Sequence, residues 1–194
     1  EAMSLTVVYP ENQTAAISAK HESMHFIEEA ERMGYSNDIC GYARVSLAYT
    51  KLKSSEAQDM PMPDYILCSN NICNQLIKWF ENIAKDLNIP MVLFDIPFNN
   101  AYEVTESRLN YMKAQSKFLI SELEKITGKT FKQENLERVM KISNACGKQW
   151  RRVQQYAKLN PSPINGFIMF NYMSLMVCAR GRQKTLDLIT LLAD

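Results

Sequence analysis

An α/β fold, built as an open parallel sheet followed by a mainly helical extension, is what the sequence predicts. Three observations lead there. Short β-rich runs alternate with helical patterns through the first hundred residues. The connections between them are short, as in sheets whose parallel strands are joined by crossover helices. Beyond residue 100 the pattern becomes almost entirely helical. The chain therefore divides into an α/β part, residues 1–100, and a helical part, residues 101–194.

Each element follows from its residues. Leu5-Thr-Val-Val-Tyr9 is β-rich and stops at Pro10. A helix is expected from about Ala15 to Met33, ending at Gly34. Asp38 is placed to cap a second helix that passes Ala43 and Leu47 to about Lys53. Asp59-Met-Pro-Met-Pro63 reads as a turn, because two prolines forbid regular pairing. Tyr65-Ile-Leu-Cys68 suits a buried parallel strand. Asn71 is placed to cap a third helix carrying Ile72, Leu76, Trp79, Phe80 and Ile83 on one face. Met91-Val-Leu-Phe94 is the next strand and ends at Asp95-Ile-Pro97. This alternation is Rossmann-like, and ligands of such sheets sit beyond the carboxyl ends of the strands. Pro10-Glu11-Asn12, Ser69-Asn-Asn-Ile-Cys73 and Asp95-Ile-Pro-Phe-Asn99 occupy those positions. Glu103–Ile126 and Glu134–Leu159 are long helical patterns broken around Gly128. A helix opened by Pro161-Ser-Pro163 runs to Cys178, and Thr185–Ala193 is apolar at helical spacing.

The 194 residues are 46% hydrophobic and 22% charged, enough to bury a sizeable core. No stretch approaches the ~18 apolar residues of a membrane span, and the first residues lack a signal peptide's basic start and apolar core. A cytoplasmic protein without a membrane segment is the expectation. The net charge is only +1, yet half of the 22 Lys and Arg residues lie between Lys113 and Lys158. That stretch is either a solvated pair of helices or a surface that meets phosphate. It holds no nucleic-acid-binding motif, and no nucleic-acid partner is expected. Five cysteines, an odd number, argue against a closed disulfide framework.

Two cysteines share a setting. Asp38-Ile-Cys40 and Asn71-Ile-Cys73 both read as cap, apolar residue, cysteine. A thiol in the first turn of a helix is favoured as thiolate, and the free N–H groups there donate to anions. Two such thiolates above one sheet would hold part of an iron–sulfur cluster; the alternative is a pair of small hydrophobes packed under their helices. Cys68, Cys146 and Cys178 read as structural. Glu11, directly after a strand and Pro10, is a base, a hydrogen-bond anchor or a helix-capping residue. His21-Glu-Ser-Met-His25 matches H-E-x-x-H, which on one helix would bring two imidazoles to a zinc ion with the glutamate as base. These are the only two histidines, so a third zinc ligand would have to be Asp, Glu or Cys.

Tyr9-Pro-Glu-Asn12, Asp38-Ile-Cys-Gly-Tyr-Ala-Arg44, Asn70-Asn-Ile-Cys73 with Lys78-Trp79, and Phe94-Asp-Ile-Pro97 follow one another in order. With Pro161-Ser-Pro-Ile164 and Ala179-Arg-Gly181, they resemble the 2-hydroxyacyl-CoA dehydratase/benzoyl-CoA reductase family, of the 2-hydroxyglutaryl-CoA dehydratase D-component type. The resemblance spans essentially the whole chain. It implies an oxygen-sensitive [4Fe-4S] protein of anaerobic bacteria, an acyl-CoA substrate, a second subunit in a heterodimer, and an ATP-hydrolysing iron–sulfur activator that supplies one electron. The implied reaction removes water from a 2-hydroxyacyl-CoA through a ketyl radical, giving a 2-enoyl-CoA. The other branch reduces an aromatic acyl-CoA. Residue by residue, Cys40 and Cys73, 33 positions apart, match the first two cluster cysteines, and Glu11 matches the active-site glutamate near the thioester. Cys68 is not a motif position. Three features depart from the pattern. The third cluster cysteine belongs to a later domain, the chain opens inside the family's N-terminal region, and Ala48 stands where glycine is common. A fragment of a longer subunit, inactive by itself, is thereby implied. The rival readings are a reductase-branch subunit, an accessory subunit without a cluster, and a zinc hydrolase.

Overall fold

The computed structural model describes residues 1–194. They form two compact units, residues 7–129 and residues 130–194 together with 1–6.

The first unit is built around one helix buried on both sides. α1 (Pro10–Ala19) and α2 (Ser23–Arg32) precede α3 (Gly41–Leu52), in which Ala43, Val45, Ser46, Leu47, Ala48, Tyr49 and Thr50 are all buried. Val45, Ala48 and Tyr49 pack with Ile17, Phe26 and Ala30 of α1 and α2. Ala43 and Leu47 pack the other way, onto Leu76, Trp79, Phe80 and Ile83. The small side chains of Ala43, Ser46 and Ala48 let neighbours approach from both sides. Ala48 is fully buried there.

β1 (Ile66–Ser69) and β2 (Met91–Phe94) pair in parallel, Ile66 opposite Met91 and Ser69 opposite Phe94, with α4 (Asn74–Leu87) as their crossover. Parallel neighbours need such a connection. Ladder partners share a face of a sheet and successive residues alternate. Ile66, Cys68, Met91 and Leu93 therefore face one way, and Leu67 and Val92 the other. Ile66 and Cys68 belong to the α3–α4 core. Val92 is buried on the opposite face, while Leu67 and Leu93 stay exposed. α5 (Glu106–Thr127) packs against β2 and ends at Gly128, whose positive φ of 66° closes the helix.

Two expectations do not hold. Leu5–Tyr9 forms no strand: Val7 is exposed, Tyr9 is the cap of α1, and Pro10 opens that helix. The sheet accordingly has two strands. The expected helix over 15–33 is two helices. The chain turns at Lys20-His21-Glu22, where His21 takes a left-handed φ of 63°.

The second unit holds α6 (Gln133–Gln155), a single 3-10 turn (Tyr156–Lys158), α7 (Gly166–Cys178) and α8 (Gln183–Ala193). Cys146, Val153, Ile189 and Ala193 form its core, with Met169, Leu175 and Met176 of α7 packed against it. α7 is apolar around its whole circumference. Phe167 and Phe170 on its outer side are 76% and 70% exposed, and none of its residues is fully buried.

Candidate functional site

Helices α3 and α4 both begin on a cysteine. Cys40 is the N-cap of α3 and Cys73 the N-cap of α4, each in a non-helical conformation (φ −49°, ψ 133° and φ −117°, ψ 152°). The sequence places Asp38 and Asn71 in those roles, two residues too early. Both side chains are engaged elsewhere. Asp38 accepts from the Ser36 hydroxyl and gives its N–H back to it, at 3.3 and 3.2 Å, while the Asn71 amide oxygen accepts from Ser69 at 2.7 Å. The sulfurs therefore lie at the mouths of the helices rather than within their first turns. Neither helix start receives a side-chain cap.

The two mouths are joined by a hydrogen bond that the sequence does not announce. The backbone N–H of Cys40 donates to Gln75 Oε1 at 3.2 Å, and Gln75 stands two residues past Cys73. The start of α3 is thus tied to the first turn of α4, while the helix N–H groups that follow Cys40 and Cys73 receive no bond from the cap residue's side chain. Both thiols are exposed.

Cys68 lies on β1, buried, its thiol directed to the Ser69 carbonyl at 3.5 Å. Burial pushes it up to about 11, and the charges of Glu11, Glu81 and Cys73 add to that rise. Glu11 and Cys73 are therefore each within electrostatic reach of Cys68. Glu11 itself is half-buried in the first turn of α1, directly after Pro10, where the helix dipole favours a carboxylate.

Beyond the strand ends a polar cluster ties β1, β2 and α5. Asn70 donates through its amide nitrogen to Asp95 Oδ1 and accepts the Ile96 N–H at 2.7 Å. The Tyr111 hydroxyl of α5 donates to Asp95 Oδ2, and the Asp95 N–H donates to Gln115 Oε1 at 3.3 Å. The bond to Asp95 raises the Tyr111 phenol above its ordinary range, so it remains a donor. The sequence marks both strand exits as ligand positions but singles out none of these residues. A lone polar side chain leaves no periodic signal.

Sulfur is the donor that iron–sulfur clusters take, and uncapped helix starts present N–H groups to an anion. In donor type and exposure, the thiols of Cys40 and Cys73 suit such a group. No group of three or more His, Cys, Asp or Glu side chains is gathered to hold a metal ion. The rival H-E-x-x-H reading places both imidazoles on one helix, and the structure does not. His21 sits in the turn and His25 on α2, its ring edge-on to Phe26 at 5.5 Å, so the two imidazoles do not share one helix. Cys146 is buried in the second unit and Cys178 partly so. No helix is long and apolar enough to cross a membrane.

Among curated proteins, the (R)-phenyllactyl-CoA dehydratase alpha subunit of Clostridium sporogenes is 52% identical over 192 residues, covering 99% of this chain and 47% of that protein. The (R)-2-hydroxyisocaproyl-CoA dehydratase alpha subunit of Clostridioides difficile is 48% identical over 195 residues, covering 100% and 48%. A benzoyl-CoA reductase subunit of Thauera aromatica is further away, 27% identical over 161 residues, covering 81% and 37%. The chain thus spans about half the length of the dehydratase subunits that it matches. The family profile of "2-hydroxyglutaryl-CoA dehydratase, D-component" matches residues 2–194, and the chain belongs to that family.

Proposed function

We propose that these residues are part of the alpha-type subunit of a 2-hydroxyacyl-CoA dehydratase, which removes water from a 2-hydroxyacyl-CoA to give a 2-enoyl-CoA. The observation that carries this reading is the similarity to dehydratase alpha subunits along the whole chain, far above that to the reductase subunit. The reductase branch is thereby the weaker alternative. The whole enzyme would be cytoplasmic and anaerobic, pair this subunit with a second one, and take its electron from an ATP-hydrolysing activator. The parallel pair β1–β2 would be the nucleus of an open Rossmann-like sheet in the complete subunit. Two parallel strands are a marginal sheet by themselves, and parallel sheets are normally covered on both faces.

In this reading Cys40 and Cys73 hold a [4Fe-4S] cluster from the mouths of α3 and α4. When bound, that group supplies low-potential electron chemistry to the substrate's thioester carbonyl. Over the whole reaction a proton leaves C3, hydroxide leaves C2 and a C2–C3 double bond forms. The electron is recovered, so no net oxidation or reduction occurs. The N–H groups at the two uncapped helix starts would offset negative charge collected there. Glu11, held at the N-terminus of α1, would hydrogen-bond the thioester region or carry the proton. The Gln75 bridge keeps the two helix mouths in register for this task.

The test is anaerobic iron and sulfide analysis of the complete subunit produced with its partner. About four irons and four sulfides per subunit, with a broad thiolate-to-iron absorption band, are expected. Cys40→Ala or Cys73→Ala should lower the iron content, and unchanged iron would remove the ligand assignment. A folded protein without iron would instead be a non-catalytic relative.

A further inference from the structure

The turn that delivers Cys73 runs from the end of β1 through Ser69, Asn70, Asn71 and Ile72. Ile72 is 74% exposed and cannot anchor it by packing. Its anchor to the rest of the unit is Asn70. Ser69 is the last ladder partner of Phe94, so Asn70 and Asp95 stand one step beyond the register on the two strands. There the Asn70 side chain continues the ladder where the backbone stops. Its amide nitrogen donates to Asp95 Oδ1 and its oxygen accepts the Ile96 N–H. Asp95 uses its other oxygen for the Tyr111 hydroxyl and its N–H for Gln115, both on α5. The nitrogen and the oxygen of the Asn70 amide group are thus both spent across the pair, on Asp95 and Ile96, three residues before a thiol at a helix mouth.

We propose that Asn70 and Asp95 are positioning residues for Cys73: a reciprocal side-chain clamp that fixes the 69–73 turn against β2 and α5. The clamp fixes the start of α4, and with it the Cys73 thiol, relative to β2 and α5. This rests on the ligand role proposed for Cys73, but the clamp itself is testable without any metal. Hydrogen bonds to a charged carboxylate are the stronger kind, and an asparagine paired with an aspartate satisfies both groups only in one orientation. The pair therefore sets geometry as well as strength. Ligand-orienting partners of this sort commonly change metal affinity by about 10–100-fold when removed.

The experiment uses the complete subunit with its partner and two readouts. The first is the alkylation rate of Cys73 relative to Cys40 in iron-free protein, read by mass spectrometry. The second is the rate of iron release to a chelator. Asn70→Ala and Asn70→Asp should each change the Cys73 rate severalfold, leave the Cys40 rate and the far-ultraviolet circular dichroism unchanged, and speed iron release by about tenfold or more. The double variant Asn70→Asp with Asp95→Asn returns each donor to an acceptor. The amide now at 95 donates to the carboxylate now at 70, which still accepts the Ile96 N–H, while Tyr111 donates to the amide oxygen. It should restore both readouts. A Cys73 rate unmoved by the single variants, or one that the exchange fails to restore, overturns the clamp. Should the unaltered protein bind no iron, the ligand reading fails by itself and the alkylation series still decides the clamp.

Discussion

The hydroxyl of Tyr49 closes two hydrogen bonds on a single residue, accepting the Met60 N–H at 2.7 Å and donating to the Met60 carbonyl at 2.9 Å. A side chain in the last turn of α3 thereby satisfies both backbone groups of Met60, in the proline-bearing segment. Tyr49→Phe keeps the ring among Phe26 and Ile17 and strands the two backbone groups. A loss of about 1–3 kcal/mol is expected, read as a lower urea midpoint with an unchanged slope. An unshifted midpoint would mean that water satisfies Met60 just as well.

Gln75→Ala removes the bridge between the helix mouths. The Cys40 N–H is exposed, so water replaces the lost acceptor and global stability should change by no more than about 0.5 kcal/mol. Iron retention by the complete subunit should nevertheless fall severalfold against a chelator. Equal retention would show that the two mouths hold their places without Gln75.

The buried thiol of Cys68 should behave unlike its neighbours. With its titration near 11 it stays protonated at pH 8, so native-state alkylation should label Cys40 and Cys73 and spare Cys68. The raised value also has a sign. Folding favours the protonated form, so this contribution is fully present below the ordinary value of 9.0 and is lost as pH climbs through about 11. Cys68→Ala should flatten the alkaline limb of a stability-against-pH curve between those values. An identical limb would place the alkaline loss elsewhere.

Glu11→Gln keeps the shape of the first turn of α1 and removes the charge. If Glu11 carries the proton, the dehydration rate of the complete enzyme should fall by about 10²–10⁴-fold with iron content unchanged. A fall in substrate affinity alone, with turnover kept, would make it an anchor for the thioester region instead.

Legibility in the sequence follows periodicity. α4 carries Leu76, Trp79, Phe80 and Ile83 buried at helical spacing, as the pattern requires, but Ile72, read as part of that face, precedes the helix and is exposed; both four-residue strands fall where the apolar runs lie. Gly128 stops α5 where the helical pattern breaks. What the pattern conceals is local chemistry. β-rich composition at Leu5–Tyr9 has no neighbouring strand to pair with, and propensity alone does not supply one. The turn at His21 interrupts a run that contains neither glycine nor proline to announce it. Asp38 and Asn71 are strong cap residues on paper, but Ser36 and Ser69 claim their side chains first. Cys40 and Cys73 are legible from their shared setting, whereas Gln75, Asn70, Asp95 and Tyr111 act through contacts between distant segments.

The cysteines at the mouths of α3 and α4 set folding and site chemistry against each other. A thiol is a poor acceptor, so at each cap it forgoes the hydrogen bond that serine, aspartate or asparagine would accept there. Cys40→Ser and Cys73→Asp should each raise stability by about 0.5–2 kcal/mol while removing the sulfur. Optimisation for melting temperature alone would therefore be drawn toward those two positions and would discard, as defects, the residues proposed to give the site its donors.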